Sequence, residues 1–174
     1  MSREITHRLF FALDPDDGVR RSVAGVQQDL DLQARRVPPA NFHVTLAFLG
    51  MQRPEMIPRV LDVAAGLTFP NCRVTLDRVG WFRRAGVLWL GASQIPDRLR
   101  AFQHDLVGAL LEAGIGYDRK PWELHLTLYR KLRKASPTMP AVGIEWALEG
   151  FDLFESVSVK RGVEYRSIGH WRGR

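Results

Sequence analysis

Asn41-Phe-His-Val-Thr-Leu-Ala-Phe-Leu-Gly50 alternates polar and apolar side chains from His43 and stops at a glycine. Successive side chains of a strand point to opposite faces. His43, Thr45 and Ala47 are therefore expected on one face, and Val44, Leu46 and Phe48 on the other, against a core. A second stretch, Leu124-His-Leu-Thr-Leu-Tyr-Arg130, repeats the pattern, with His125 and Thr127 on one face and Leu124, Leu126 and Leu128 on the other. Random placement of the chain's five histidines and six threonines gives about 0.2 His-x-Thr triplets. Two occur, both followed by leucine and both on strand patterns.

The segments before the two stretches also echo one another. Leu9-Phe-Phe-Ala-Leu13, a helical segment carrying Gln27-Gln-Asp-Leu30 and a loop with Pro38-Pro39 precede the first. Val87-Leu-Trp-Leu90, a helical segment carrying Gln103-His-Asp-Leu106 and a loop with Pro121 precede the second. Recurrence of strand, helix, loop and His-x-Thr-Leu strand predicts a duplicated unit. Two copies packed about a pseudo-twofold axis would put both His–Thr pairs across one cleft, within one domain spanning 1–174.

Periodicity places the remaining elements. Asp14-Pro15 is expected to open the first helix, with Asp14 as its cap, and Val19, Val23, Val26 and Leu30 line one face as far as about Ala34. Pro54 to Ala65 reads as a short helix. Cys72 to Val79 and Val87 to Leu90 read as strands joined by a turn containing Arg83, Arg84 and Gly86. Pro96 to Ala113 is helical, with Leu99, Phe102, Leu106 and Leu110 on one face and Gly114 at its end. Ser136 to Pro140 is a loop. Ile144 to Ser167 is strand-like, with turns at Gly150 and Gly162 and a flip of apolar phase near Gly150.

Composition sets outer bounds. Hydrophobic residues are 45% and charged residues 25%, an ordinary globular balance. Lys and Arg number 25 against 19 Asp and Glu, a net charge of +6, which favours anionic partners such as nucleic acid. Cys72 is the sole cysteine, so no intrachain disulfide and no cysteine-based zinc site can form. No apolar stretch approaches membrane-spanning length. The N-terminal residues lack a secretory pattern, and a cytoplasmic location is expected.

The paired strands point to phosphoester chemistry. Cleavage of a phosphodiester needs a base for the attacking oxygen and an acid for the departing one, on opposite sides of phosphorus, and imidazole serves both near neutral pH. A hydroxyl beside each imidazole, Thr45 and Thr127, can donate to a non-bridging phosphate oxygen. Arg130 could meet the charge on phosphorus. Strict alternation would point it to the leucine face, so it must follow a bulge or lie past the strand end. Phe10 and Trp81 are candidates to stack a terminal base, and Lys131, Arg133 and Lys134 to follow an RNA backbone. A metal hydrolase fits poorly, because no carboxylate accompanies the histidines at ligand spacing.

His43-Val-Thr45 and His125-Leu-Thr127 resemble the paired motif of the 2H phosphoesterase superfamily. Arg8-Leu-Phe-Phe-Ala-Leu13, Asn41 to Gly50, Val87-Leu-Trp-Leu-Gly91 and His125 to Arg130 are similar to the RNA 2′,3′-cyclic phosphodiesterases of bacteria and archaea, once called 2′-5′ RNA ligases. The resemblance runs from about residue 8 to residue 171. It implies an α+β, bilobal fold of two antiparallel β-sheets with outer helices around a central cleft. It implies hydrolysis of an RNA-terminal 2′,3′-cyclic phosphate to a 2′-phosphate by a monomer, with no metal and no nucleotide cofactor. Some members also join tRNA halves reversibly through a 2′-5′ bond. In this scheme His43 protonates the departing O3′, His125 activates water, and Thr45, Thr127 and Arg130 hold the phosphate. Relatives often carry proline before the second histidine, where this chain has Trp122-Glu-Leu124. A non-catalytic RNA-binding module and a 2H enzyme for small cyclic nucleotides are the competing readings.

Overall fold

The structure, a computed structural model, describes residues 5–134 and 139–174. The loop expected from Ser136 falls largely outside these residues, as does the N-terminal Met1–Glu4. Strands β1 (His7–Leu13), β3 (Val44–Gln52), β5 (Arg78–Phe82), β6 (Val87–Gly91), β7 (His125–Arg130), β9 (Gly150–Val159) and β10 (Gly162–Arg172) form one antiparallel sheet. Their order is β10-β9-β1-β3-β7-β6-β5, and the two-residue β2 (Arg35–Arg36) pairs with β7. A second antiparallel sheet joins β4 (Cys72–Leu76) to β8 (Ile144–Leu148). The large sheet has two halves, which meet between β3 and β7 at the single pair Val44–Leu126.

The main core lies on one side of this sheet. Helices α1 (Asp17–Leu30), α2 (Ile57–Ala65) and α3 (Asp97–Glu112) and the small sheet contribute Val23, Val60, Leu106, Leu110 and Trp146 to it, against Leu9, Leu13, Leu46, Leu88, Leu90 and Leu126. The other side carries a small aromatic cluster of Phe10, Ala12 and Phe154, flanked by Phe48 and Tyr165.

Several boundaries differ from the sequence expectation. The cap of α1 is Asp16, whose carboxylate accepts from Val19 N at 2.9 Å. Asp14 instead accepts from Arg20 at 2.7 Å. The helix stops at Leu30, because Asp31 adopts a left-handed conformation, and this frees Arg35–Arg36 to pair with β7. Cys72 to Val79 is two strands, since the chain changes sheets at Asp77, which is bonded to Ser93 through its side chain. The phase flip near Gly150 is a like event, where β8 of the small sheet gives way to β9 of the large one.

Two β-bulges decide which side chains reach each face of the motif strands. In β3, Ala12 pairs with Thr45 and Phe11 with Ala47, which leaves Leu46 extra. In β7, Trp89 pairs with Thr127 and Leu88 with Tyr129, which leaves Leu128 extra. The bulged leucines hold equivalent places in the two motifs. A bulge reverses the alternation beyond it. Ala47 therefore joins the core and Phe48 joins the aromatic cluster on the opposite side, the reverse of the expected faces. Likewise Tyr129 is buried and Arg130 emerges on the histidine side.

The echoed glutamines meet the carbonyls of the bulged leucines, and Leu128 O also accepts from Val37 N at 2.9 Å. Gln27 of α1, only 3% exposed, donates to Leu128 O at 2.7 Å and to Val37 O at 2.9 Å. Gln103 of α3 donates to Leu46 O at 3.1 Å. Each helix thus reaches the motif strand of the other half.

Candidate active site

Val44 faces Leu126 across the antiparallel junction. Continuing this register by one residue on either side sets His43 across from Thr127 and Thr45 across from His125. The four side chains form one array on the face away from the main core. His43, Thr127 and Arg130 line a common cleft with Asn41, Tyr165, Arg35, Arg36 and Arg161.

Both imidazoles are held alike. His43 Nδ1 donates to Asn41 O at 2.8 Å, and His125 Nδ1 donates to Glu123 O at 2.9 Å. A carbonyl only accepts, so each Nδ1 carries a proton and each Nε2 is the ring nitrogen left to gain or lose one. His43 Nε2 lies 3.1 Å from Thr45 Oγ1. Asn41 is itself fixed by its side-chain bond to Val163 O at 2.9 Å.

Each ring also has aromatic walls. Phe10 lies 4.9 Å and Tyr165 5.0 Å from His43, ring centre to ring centre. Phe82 lies 5.2 Å and Trp89 6.2 Å from His125. Apolar surroundings disfavour imidazolium. Burial pushes His43 down to about 4, partly offset by the Asn41 bond, and the charges of His125, Arg130 and Arg20 add to the depression. Burial also lowers His125, against the raising influence of the Glu123 carbonyl and carboxylate.

The two residues expected to stack a base are both packed into the protein, Phe10 under His43 and Trp81 on the main core. Phe10 is 4% exposed, beneath His43 and between Phe154 and Tyr165, so neither ring face is open. Trp81 packs on the main core, with Arg83 over its ring. Its neighbour Phe82, 36% exposed, stands edge-on to His125 instead. The signal for this was the β5–β6 register: Gly80 pairs with Trp89, and a Cβ on Gly80 would meet the Trp89 ring at 2.0 Å. Gly80 and Trp89 therefore share the histidine face, and Trp81 is turned from it. Tyr165, Arg35 and Arg161 were not anticipated, because they come from segments without a motif. Trp122 spans the junction, and its indole N–H donates to Thr45 O at 2.9 Å. Among the described residues no group of three or more His, Cys, Asp or Glu is gathered as metal ligands would be.

The split antiparallel sheet and its doubled His-x-Thr array define a two-histidine phosphoesterase scaffold. The model of the LigT like Phosphoesterase family matches residues 13–89. The chain is 30% identical to the RNA 2′,3′-cyclic phosphodiesterase of Escherichia coli K12, over 94% of this chain and 95% of that protein. It is 32% identical to the RNA 2′,3′-cyclic phosphodiesterase of Thermus thermophilus, over 91% of this chain and 86% of the relative. The crystal structure of E. coli LigT complexed with 3′-AMP superposes with a TM-score of 0.90 at 28% identity, covering 97% of this chain and 99% of that one. The chain belongs to the LigT-like phosphoesterase family.

Proposed function

We propose that the protein is an RNA 2′,3′-cyclic phosphodiesterase that leaves a 2′-monoester. His125 Nε2 takes a proton from water, whose oxygen attacks phosphorus as the bond to O3′ breaks. His43 Nε2 gives its proton to O3′. Thr45, Thr127 and Arg130 hold the non-bridging oxygens and meet the charge that builds on them. With an RNA 5′-hydroxyl in place of water, the same attack, with P–O3′ breaking and His43 protonating O3′, would form a 2′-5′ bond. The observation that carries this reading is the matched presentation of the imidazoles: both have Nδ1 fixed on the carbonyl two residues earlier, and both come from strands that meet at Val44–Leu126.

His43 is neutral at pH 7 in the free protein, because its pKa is near 4. It takes up its proton only when the phosphodiester arrives, whose negative charge favours imidazolium. The chain acts as one domain of two equivalent lobes. The equivalence of Val44 and Leu126 at the junction and the reciprocal Gln27 and Gln103 bonds support that arrangement.

The test is product analysis. An oligonucleotide ending in a 2′,3′-cyclic phosphate, incubated in excess chelator, should be converted to the 2′-monoester. A 3′-monoester product, or activity restored only by added metal, would contradict the reading.

A further inference from the structure

Arg35 and Arg130 are direct partners in the β2–β7 ladder. Like charges set opposite one another in a sheet repel, and among the described residues no carboxylate pairs with either. A third cation, Arg161, joins them from the β9–β10 turn, and all three line the cleft beside His43 and Thr127. The turn is shaped for this approach. Gly162 has φ +128°, and a Cβ there would lie 3.3 Å from Arg35 Nη2, so the guanidinium rests where a side chain would otherwise project.

One reacting cyclic phosphodiester carries a single negative charge. Thr45, Thr127, Arg130 and an imidazolium suffice to meet it. Arg35 and Arg161 are then two further cations with no acid between them. On the side of His125, Arg78 is already engaged, lying 3.8 Å from Glu123 and over the Trp89 ring. The electrostatic excess is thus one-sided.

Resting on the proposed function, we infer that Arg35 and Arg161 form a second phosphate site, which binds the 5′-phosphate of the nucleotide carrying the cyclic phosphate. In an RNA chain this group is the last internucleotide phosphate. The preferred substrate is then an oligonucleotide end or a 5′-phosphorylated nucleotide, in preference to a nucleoside cyclic phosphate.

Adenosine 2′,3′-cyclic phosphate with and without a 5′-phosphate isolates this contact from any contact to a second base. The wild-type protein should turn over the 5′-phosphorylated form with roughly tenfold higher kcat/KM, through a lower KM. Arg35→Gln and Arg161→Gln should each remove most of that preference, with turnover of the unphosphorylated form within about twofold of wild type. Equal kcat/KM for the two substrates in the wild type would overturn the inference. So would variants that lose both activities alike, because the arginines would then serve the reacting phosphate. Binding of adenosine 2′,5′-bisphosphate against adenosine 2′-monophosphate, by calorimetry, reads the same site without turnover. Tighter binding of the bisphosphate that both substitutions abolish would sustain the second phosphate site even if neither cyclic substrate were hydrolysed, a result that would fell the enzymatic reading alone.

Discussion

At the scale of single residues, the bond between each His Nδ1 and a backbone carbonyl decides what the ring can do. With that proton fixed, Nε2 is the only position that can gain or lose one in the cleft. Replacing His43 or His125 by Ala should lower kcat by roughly 10²-fold or more, and near-wild-type rates in both variants would refute the assignment. Burial gives the pH dependence a definite sign. The pKa of His43 in the folded protein, about 4, lies below its ordinary value of 6.5. Between these values the unfolded chain holds a proton that the folded one lacks, so stability falls as the pH drops from about 6.5 to 4. The upper limit of this loss is ~3 kcal/mol. Thermal melts of wild type and His43→Gln over this range should diverge accordingly, and parallel curves would contradict a buried neutral His43. In kinetics, the alkaline limb of kcat should lie at higher pH than that of kcat/KM, since His43 acts in its protonated form and bound phosphate favours that form. The histidines and threonines were legible because strand alternation and repetition are both properties of sequence. The aromatic contacts were not. A choice between Trp81 and Phe82 depends on which face β5 turns to the cleft, and that depends on its pairing with β6.

At the scale of elements, the paired bulges explain why Arg130 reaches a cleft from which alternation would exclude it. The bulged Leu128 carbonyl accepts from Val37 N and from Gln27, and the bulged Leu46 carbonyl accepts from Gln103. Removing the donor from a buried acceptor costs about 1–3 kcal/mol. Gln27→Leu should therefore destabilise more than Gln103→Leu, because Gln27 is buried and its loss takes the side-chain donor from Val37 O and one of the two bonds to Leu128 O, which keeps Val37 N. It should also lower kcat/KM, because the bulge it supports aims Arg130. Chemical denaturation of the two variants beside their kinetics checks both parts, and a Gln27→Leu protein with wild-type stability would refute the role. The sequence displayed both glutamines as an echo, but not their purpose, because the carbonyls they meet belong to strands distant in the chain, Leu128 lying 101 residues from Gln27. Helix boundaries were legible only to within a turn. Asp14, Asp16 and Asp17 are all suitable caps by type, and Asp16 takes the role because Arg20 engages Asp14. Asp16→Ala should cost about 1 kcal/mol and Asp14→Ala less.

At the scale of the whole molecule, the duplication was legible and its execution was not. The two halves of the large sheet pair at one residue pair, and each half's helix tethers the other half's motif strand. The segment Cys72 to Val79 reads as a single strand, since β-propensity does not record a change of sheet. The halves also differ where their chemistry differs. Beyond its bulge the first motif places Phe48, and the second places Arg130. Beside Thr45 stands Ala12, and beside Thr127 stands Trp89. A near-symmetric cradle of imidazoles thus holds a cation on one side only.

The central claim is that the two imidazoles act on one phosphorus atom from opposite sides. The stereochemical course at phosphorus tests it most directly. A single diastereomer of adenosine 2′,3′-cyclic phosphorothioate, hydrolysed in ¹⁸O-water, should give the 2′-phosphorothioate with inverted configuration. Retention would require two displacements at phosphorus, and would contradict a mechanism in which one imidazole activates water while the other releases O3′.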